Sequence, residues 1–265
     1  MVIAGAQVSV SPTRVVFEGR TRTASITLIN RGDEASTFRI SFERKRMTED
    51  GQFQDVKNPQ PGEVFSDQMI RFSPRQVVLP PGKAQVVRLL LRKPPNLADG
   101  EYRSHMLFRE IPEQKSTSIE TQASNKKQLN ISIKPVLGIS IPVIVRQGST
   151  SAEVSLVKTS LTNISADRTQ GILDLTMKRA GNRSVYGDII AIYKKNNSDK
   201  NSIVVAQANG IAVYTPNYIR RLKLQVQAPA GVKLEGGRIE VVFRTNPSDG
   251  NKILAQGHAE VPAGK

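Results

Sequence analysis

The sequence contains no cysteine and no tryptophan, and it has only two histidines among 265 residues. The absence of cysteine excludes disulfide bridges and thiolate metal sites, and it fits the cytosol and the periplasm equally well. The two histidines, His105 and His258, are far apart in the sequence. A lone histidine in a strand is more often a packing or surface residue than a metal ligand. We therefore predict no metal site.

Short catalytic motifs are missing as well. The sequence has no HExxH, no GxGxxG, no phosphate-binding loop and no GxSxG. The glycine pair in Glu235–Arg238 indicates a hairpin turn, and the carboxylate pair Glu49 and Asp50 lies in a turn-like segment. We therefore predict that the protein is not an enzyme and needs no cofactor.

Long apolar runs are also absent. The most apolar region, 136–145, is interrupted by Gly138, Ser140 and Pro142, so it does not resemble a membrane helix. The N-terminal segment MVIAGAQVSV is too short for the charged and apolar regions of a signal peptide. Earlier removal of such a signal is an explanation that the sequence leaves open.

The chain carries a formal net charge of +15, with a pI near 10.2. This charge is consistent with a solvated basic surface, and also with an acidic partner, a nucleic acid or an anionic membrane surface. The basic residues are dispersed and form no long Lys/Arg block with interleaved aromatic residues. We therefore predict no nucleic-acid partner.

The first half of the chain contains about seven segments with apolar residues at every second position, which is typical of β-strands. Polar turns separate them at Asn30–Asp33 and in the loop Thr48–Gly62, and the long polar segment Glu113–Gln128 precedes the last strand. Segments of helical period are almost absent. This pattern predicts an all-β, immunoglobulin-like sandwich.

The second half repeats this pattern without close sequence similarity to the first. Its candidate strands are Glu153–Val157, Gly171–Arg179, Tyr186–Lys194, Ser202–Ala208, Tyr218–Ala228, Gly237–Arg244 and Lys252–Val261. The polar segment Arg146–Ser151 predicts a linker between the two halves. We therefore expect two β-sandwich domains, 1–146 and 147–265.

One predicted strand, Leu129–Val145, is unusually long. Its period-two pattern would extend about 56 Å, whereas an ordinary strand spans about 17–20 Å. The second half can complete the core of the first domain. Leu129, Ile131 and Ile133 lie in the first half, and they either pack on the protein's own loop or second domain or remain at an exposed edge. An exposed apolar edge favours the addition of a strand from a partner protein.

A series of segments resembles periplasmic pilus-assembly chaperones of the PapD type, which work with outer-membrane ushers. In chain order the segments are SPTRVVF (11–17), SITLINRG (25–32), FSPRQVVLPPGKAQVVRLL (72–90), FREIP (108–112), LNISI (129–133), SVYGDI (184–189) and NGIAVYTPNYIRRLKL (209–224). The resemblance implies two immunoglobulin-like domains in an L-shaped arrangement and a location in the periplasm. It also implies that the chaperone lends an edge strand to a pilus subunit that lacks its last strand.

The resemblance also assigns residues. Leu129, Ile131 and Ile133 match the alternating apolar residues that fill the subunit groove, and Arg14 matches the arginine that anchors the carboxylate of the subunit's C-terminus. The family's second anchor, a lysine, falls at Gly138, and the nearest basic residue on that strand is Lys134.

Our hypothesis is that Arg103 replaces this lysine, on a strand that also carries His105. The alternative is a solvent-facing arginine beside Glu101. The exposed strand would also permit self-association of the free protein.

Two other functions compete with the chaperone. A two-domain structural subunit or adhesive protein of a surface fibre would need a polar N-terminal extension with alternating apolar residues, whereas this chain enters its first strand almost at once. A binding module for an acidic glycan or nucleic acid would show strongly salt-dependent binding. It would give no reason for the long strand.

Overall fold

The computed structural model describes residues 8–112, 136, 138–195 and 202–264. These residues form eighteen strands and two described 3₁₀ turns, so the all-β prediction is confirmed. Residues 129–135, with the predicted groove-filling side chains of Leu129, Ile131 and Ile133, lie outside the described residues.

The first eleven strands precede residue 148. They are β1 Val8–Ser11, β2 Val15–Phe17, β3 Thr23–Asn30, β4 Ser36–Glu43, β5 Lys45–Met47, β6 Phe53–Asp55, β7 Ile70–Ser73, β8 Gln76–Leu79, β9 Ala84–Leu91, β10 Gly100–Ile111 and β11 Gly138–Gln147, with a 3₁₀ turn at Asp67–Met69.

Seven strands follow. They are β12 Ala152–Thr162, β13 Gln170–Gly181, β14 Val185–Lys194, β15 Ile203–Val213, β16 Ile219–Gln227, β17 Arg238–Arg244 and β18 Ile253–Glu260, with a 3₁₀ turn at Pro247–Asp249. Each of the seven strands predicted in this half is present, with ends that differ from the prediction by no more than five residues.

The chain divides into two compact units. The first comprises Met1–Arg44, Phe65–Leu97 and Tyr102–Val145, and the second comprises Lys45–Val64, Ala98–Glu101 and Arg146–Lys265. This division assigns the β5–β6 hairpin to the second unit. The amide Nδ2 of Asn217 donates to the Met47 carbonyl at 2.6 Å, and the Phe53 ring lies 6.2 Å from that of Tyr214. The boundary between residues 146 and 147 stays a prediction.

The predicted loop Thr48–Gly62 is wrong in part, because β6 lies within it and pairs with β5. The hairpin turns at Gly51, whose positive φ of +80° suits glycine, and its N–H donates to the Thr48 carbonyl at 2.9 Å. An ion pair of 2.8 Å between Lys45 and Asp55 joins the two strands. Three-residue strands are too short to reveal an alternating pattern.

The first unit is a sandwich of two sheets. One sheet has the order β1-β3-β9-β7, and the other has the order β2-β11-β10-β4-β8. Alternate side chains of both sheets meet in one core, whose completely buried members include Phe17, Ile26, Leu28, Val87, Met106, Phe108 and Val143. Between Ser11 and Val15 the chain leaves the first sheet and enters the second.

The second unit packs the sheet β12-β13-β16 on the sheet β15-β14-β17-β18. Its core includes Leu173, Met177, Ile189, Val241 and Phe243, all completely buried. Their alternation along each strand is the pattern expected of sandwich strands with one face inward.

A buried polar network in the first unit fixes the 3₁₀ turn against β10 and β11. The Ser104 hydroxyl accepts the backbone N–H groups of Ser66 and Asp67 at 3.0 and 3.1 Å and donates to the Asp67 carboxylate at 2.9 Å. The Ser66 hydroxyl donates to the Val143 carbonyl at 2.8 Å. Arg44 also donates a hydrogen bond of 2.9 Å to the Asp67 carboxylate, and this hydrogen bond raises the pKa of Arg44.

We expect Ser104→Ala to destabilise the first unit, because it leaves two backbone donors without an acceptor. The cost should be about 2–4 kcal/mol, measured as a lower midpoint in urea unfolding. Ser41→Ala, on the opposite face of the same sheet, is the control and should change the midpoint little. Equal midpoints for the two variants would contradict the assigned role of Ser104.

Candidate functional site

Strand β11 has one partly unpaired edge in the described part of its sheet. It lies between β10 and β2, but its parallel ladder with β2 covers only Val143–Val145. Among the described residues, Gly138–Pro142 therefore has no strand partner on the β2 side. Pro142 directly precedes the first paired residue and has no N–H to donate, which fits its position where the ladder begins.

The side chains of β11 alternate as the sequence predicts. Ile139, Ile141, Val143 and Val145 face the core of the first unit, and the last three are almost fully buried. The predicted role of the second half of the long strand, which is to complete the core, is therefore observed. Leu129, Ile131, Ile133 and Lys134, which the sequence predicts in the first half of the long strand, lie outside the described residues.

Arg14 is half-buried and lies directly before β2. Because Val15 is paired in parallel with Val143, the register places Arg14 level with Pro142, at the end of the open edge. Val15 and Phe17 are buried in the core, so strand alternation directs Arg14 to the opposite, outer face of the five-stranded sheet.

Arg103 and His105 lie on β10 and are only 5% and 3% exposed. Met106 and Phe108 fill the core from the same strand, so Arg103 and His105 face the outer side of the sheet, as Arg14 does. The alternative of a solvent-facing Arg103 is wrong. The sequence places Arg103 on a strand, but it contains no signal for burial on the outer face.

Glu101, which lies two residues before Arg103 on β10, forms an ion pair with Arg146. Its side chain is fully buried, and its Oε2 accepts a hydrogen bond of 3.1 Å from Nε of Arg146. Both members of this ion pair lie in the second unit, and Arg103 lies in the first.

At Gly138 the outer face of β11 carries no side chain. A Cβ atom at this position would lie 3.4 Å from Cδ1 of Leu107, which is ordinary van der Waals contact. The backbone therefore has room for a larger residue. Two residues further on, the Ser140 hydroxyl donates to Oε1 of Glu43 at 2.5 Å, a contact that the sequence pattern did not reveal.

The described residues contain neither a metal-binding cluster nor a membrane-spanning helix. Within them, no cluster of three or more His, Asp or Glu residues is arranged to hold a metal ion. The described part of the chain also contains no helix with the length and hydropathy required to span a lipid bilayer.

Comparison with solved structures finds similar chains of low identity. Among them are the CupB2 chaperone of Pseudomonas aeruginosa (14% identity, 97% of this chain and 100% of that chain, TM-score 0.44) and the chain from the CsuC–CsuE chaperone–tip adhesion subunit complex of Acinetobacter baumannii (13%, 98% and 100%, 0.44). A chain from the SafA pilin–SafB chaperone complex of Salmonella enterica shows 13% identity over 95% and 94%, with a TM-score of 0.45. These scores are too low to carry an argument.

Comparison with curated proteins finds no match. The family comparison is decisive, because residues 7–147, more than half of the chain, match the N-terminal domain of the pili and flagellar-assembly chaperones, PapD type. This region contains β2, β10, β11 and the open edge between Gly138 and Pro142. The chain therefore belongs to the PapD-like family of pilus-assembly chaperones.

Proposed function

We propose that this protein is a periplasmic chaperone that donates a β-strand to pilus or surface-fibre subunits and delivers them to an outer-membrane usher. The observation that carries the proposal is the open edge of β11, which ends at Arg14. The apolar residues Leu129, Ile131 and Ile133 precede this edge in the sequence. The mechanism requires no cofactor and no ATP.

The donated side chains supply the binding energy. Each fully buried aliphatic side chain contributes roughly 1.5–3 kcal/mol, so three contribute of order 5–9 kcal/mol before the cost of ordering is subtracted. The backbone of the strand supplies the direction. The alternating side chains supply the register, because a slip by one residue would turn the apolar set away from the groove.

If Arg14 binds the C-terminal carboxylate of a subunit, its position determines which way the subunit strand runs along β11. A subunit whose C-terminal carboxylate binds Arg14 would end its last strand level with Pro142 and run along β11 toward that residue. That strand would be parallel to β11 and in line with β2, which begins where the subunit would end. A guanidinium group suits this role because it binds a carboxylate with two parallel hydrogen bonds.

Arg103 is our candidate for the second anchor. It shares the outer face of the five-stranded sheet with Arg14, and only β11 separates their strands. A buried guanidinium attracts a carboxylate more strongly than an exposed one, because the surroundings screen the charge less. Arg103 on β10 would then supply the charge that the family places at Gly138 on β11.

The first test is co-purification of subunits from the periplasm of the native host. We expect Ile131→Asp/Ile133→Asp to lose the subunit, because two carboxylates cannot enter an apolar groove without a large desolvation cost. Asn130→Asp/Ser132→Asp adds the same charge at the alternate positions of the same segment, and this control should retain the subunit. Retention by both variants, or recovery of polyanions alone, would refute strand donation.

The second test separates the two anchors. We expect Arg14→Ala and Arg103→Gln each to reduce subunit retention by about tenfold or more, equivalent to about 1.4 kcal/mol. Adding Gly138→Lys to Arg103→Gln should restore retention, since the lysine returns the charge to the family's position. Thermal unfolding of each variant checks that the fold is intact.

Failure of the added lysine to restore binding in a folded protein would show that Arg103 does not replace the family lysine. Strand donation would stand independently, because it is tested by the Ile131 and Ile133 variants.

A further inference from the structure

A shallow cavity lies on the outer face of the sheet β1-β3-β9-β7, away from the open edge of β11. Its volume is about 560 Å³, within the size range of ligand-binding clefts. We call it the Arg71–Arg88 groove. Its outward-facing lining residues are Thr23, Ser25, Arg71, Ser73, Arg88 and Leu90.

Strand pairing sets the positions of these side chains. Thr23 and Arg71 lie on opposite sides of Leu90 in one row across the sheet, and Ser25 and Ser73 lie on opposite sides of Arg88 in the next row. Arg71 and Arg88 are therefore diagonal neighbours on adjacent strands. Such positions are separated by about 7–8 Å.

The charged side chains on the strands that form the groove have one sign. None of the four strands contains an Asp or Glu residue, and Arg71 and Arg88 are exposed, with no ion pair or hydrogen bond from either guanidinium among the described residues. Arg22 directly precedes Thr23, and the pKa of Lys93 is lowered by burial and by the charge of Arg22. The strands that line the groove therefore carry basic side chains and no carboxylate.

The floor of the groove is apolar. Leu90 in the groove remains 37% exposed, and beyond Arg88 on the same face of β9 lies Val86, which is 42% exposed. Solvent-facing sides of sandwich sheets ordinarily carry polar residues. A ligand that combines carboxylates with an apolar group fits this surface best.

We propose that the Arg71–Arg88 groove binds an extended acidic segment of a partner protein. In an extended segment, residues i and i+2 lie on one face about 7 Å apart, which matches the diagonal spacing of the two arginines. Two acidic side chains at this spacing pair with Arg71 and Arg88, and an apolar side chain on the same face covers Leu90. The edge position of β7 leaves room for such a segment along the groove.

The test uses the full chain and a fluorescein-labelled peptide, Gly-Glu-Ser-Glu-Ser-Leu-Gly-amide, in fluorescence anisotropy. Arg71→Glu/Arg88→Glu should weaken binding by about tenfold or more, and Leu90→Ser should weaken it to a lesser degree. The control is Arg39→Glu/Arg109→Glu, which changes the net charge equally. These two arginines are exposed cross-strand partners on β4 and β10 in the other sheet, and this variant should bind nearly as the wild type does.

Three results would overturn the proposal. Equal weakening by both arginine pairs would indicate attraction by net charge alone. Equal binding of a peptide with serine in place of leucine would indicate a polyanion surface without an apolar site. Binding of dodecanoate without binding of the peptide would assign the groove to an anionic amphiphile. Retention of pilus subunits by the Arg71/Arg88 variant would leave strand donation unaffected.

Discussion

The passage of the chain from one sheet to the other between Ser11 and Val15 determines how the first unit presents β11. Before this passage β1 pairs with β3, and after it β2 has only three residues with which to pair with β11. An ordinary strand in this position would cover most of the edge. Because β2 is so short, the edge of β11 at Gly138–Ile141 has no strand partner among residues 8–112 and 138–147, and unpaired edges of this kind are usually avoided.

The same passage places Arg14. It is the last residue before β2, so the positive charge and the end of the open edge occur at the same level of the sheet. The Ser66 hydroxyl holds the Val143 carbonyl, and Val143 is the residue with which the paired stretch begins. An open edge with a positive charge at its end is what the proposed strand donation requires of this unit.

The sequence predicted the strands well where alternation extends over eight or more residues, as in β3, β4 and β9, because the apolar period then identifies both the strand and its inner face. It did not predict the β5–β6 hairpin, whose strands are too short and whose Met47 carbonyl is held by Asn217, far away in the sequence. The candidate site was predicted in part. Arg14 could be identified by resemblance, but the burial of Arg103 depends on packing over the outer face of a sheet, which no local pattern encodes.

Because the carboxylates are unevenly distributed, the net charge of +15 is not spread evenly over the protein surface. Three carboxylates form ion pairs with basic side chains and so cancel positive charge locally: Asp67 with Arg44, Glu63 with Arg46, and Glu240 with Lys194. The sheet β1-β3-β9-β7 has no carboxylate in its strands, and the guanidinium groups of its Arg71 and Arg88 form no ion pair or hydrogen bond among the described residues. Since the open edge belongs to the other sheet of the sandwich, a strand bound at β11 and an acidic segment bound at the Arg71–Arg88 groove would occupy different sheets.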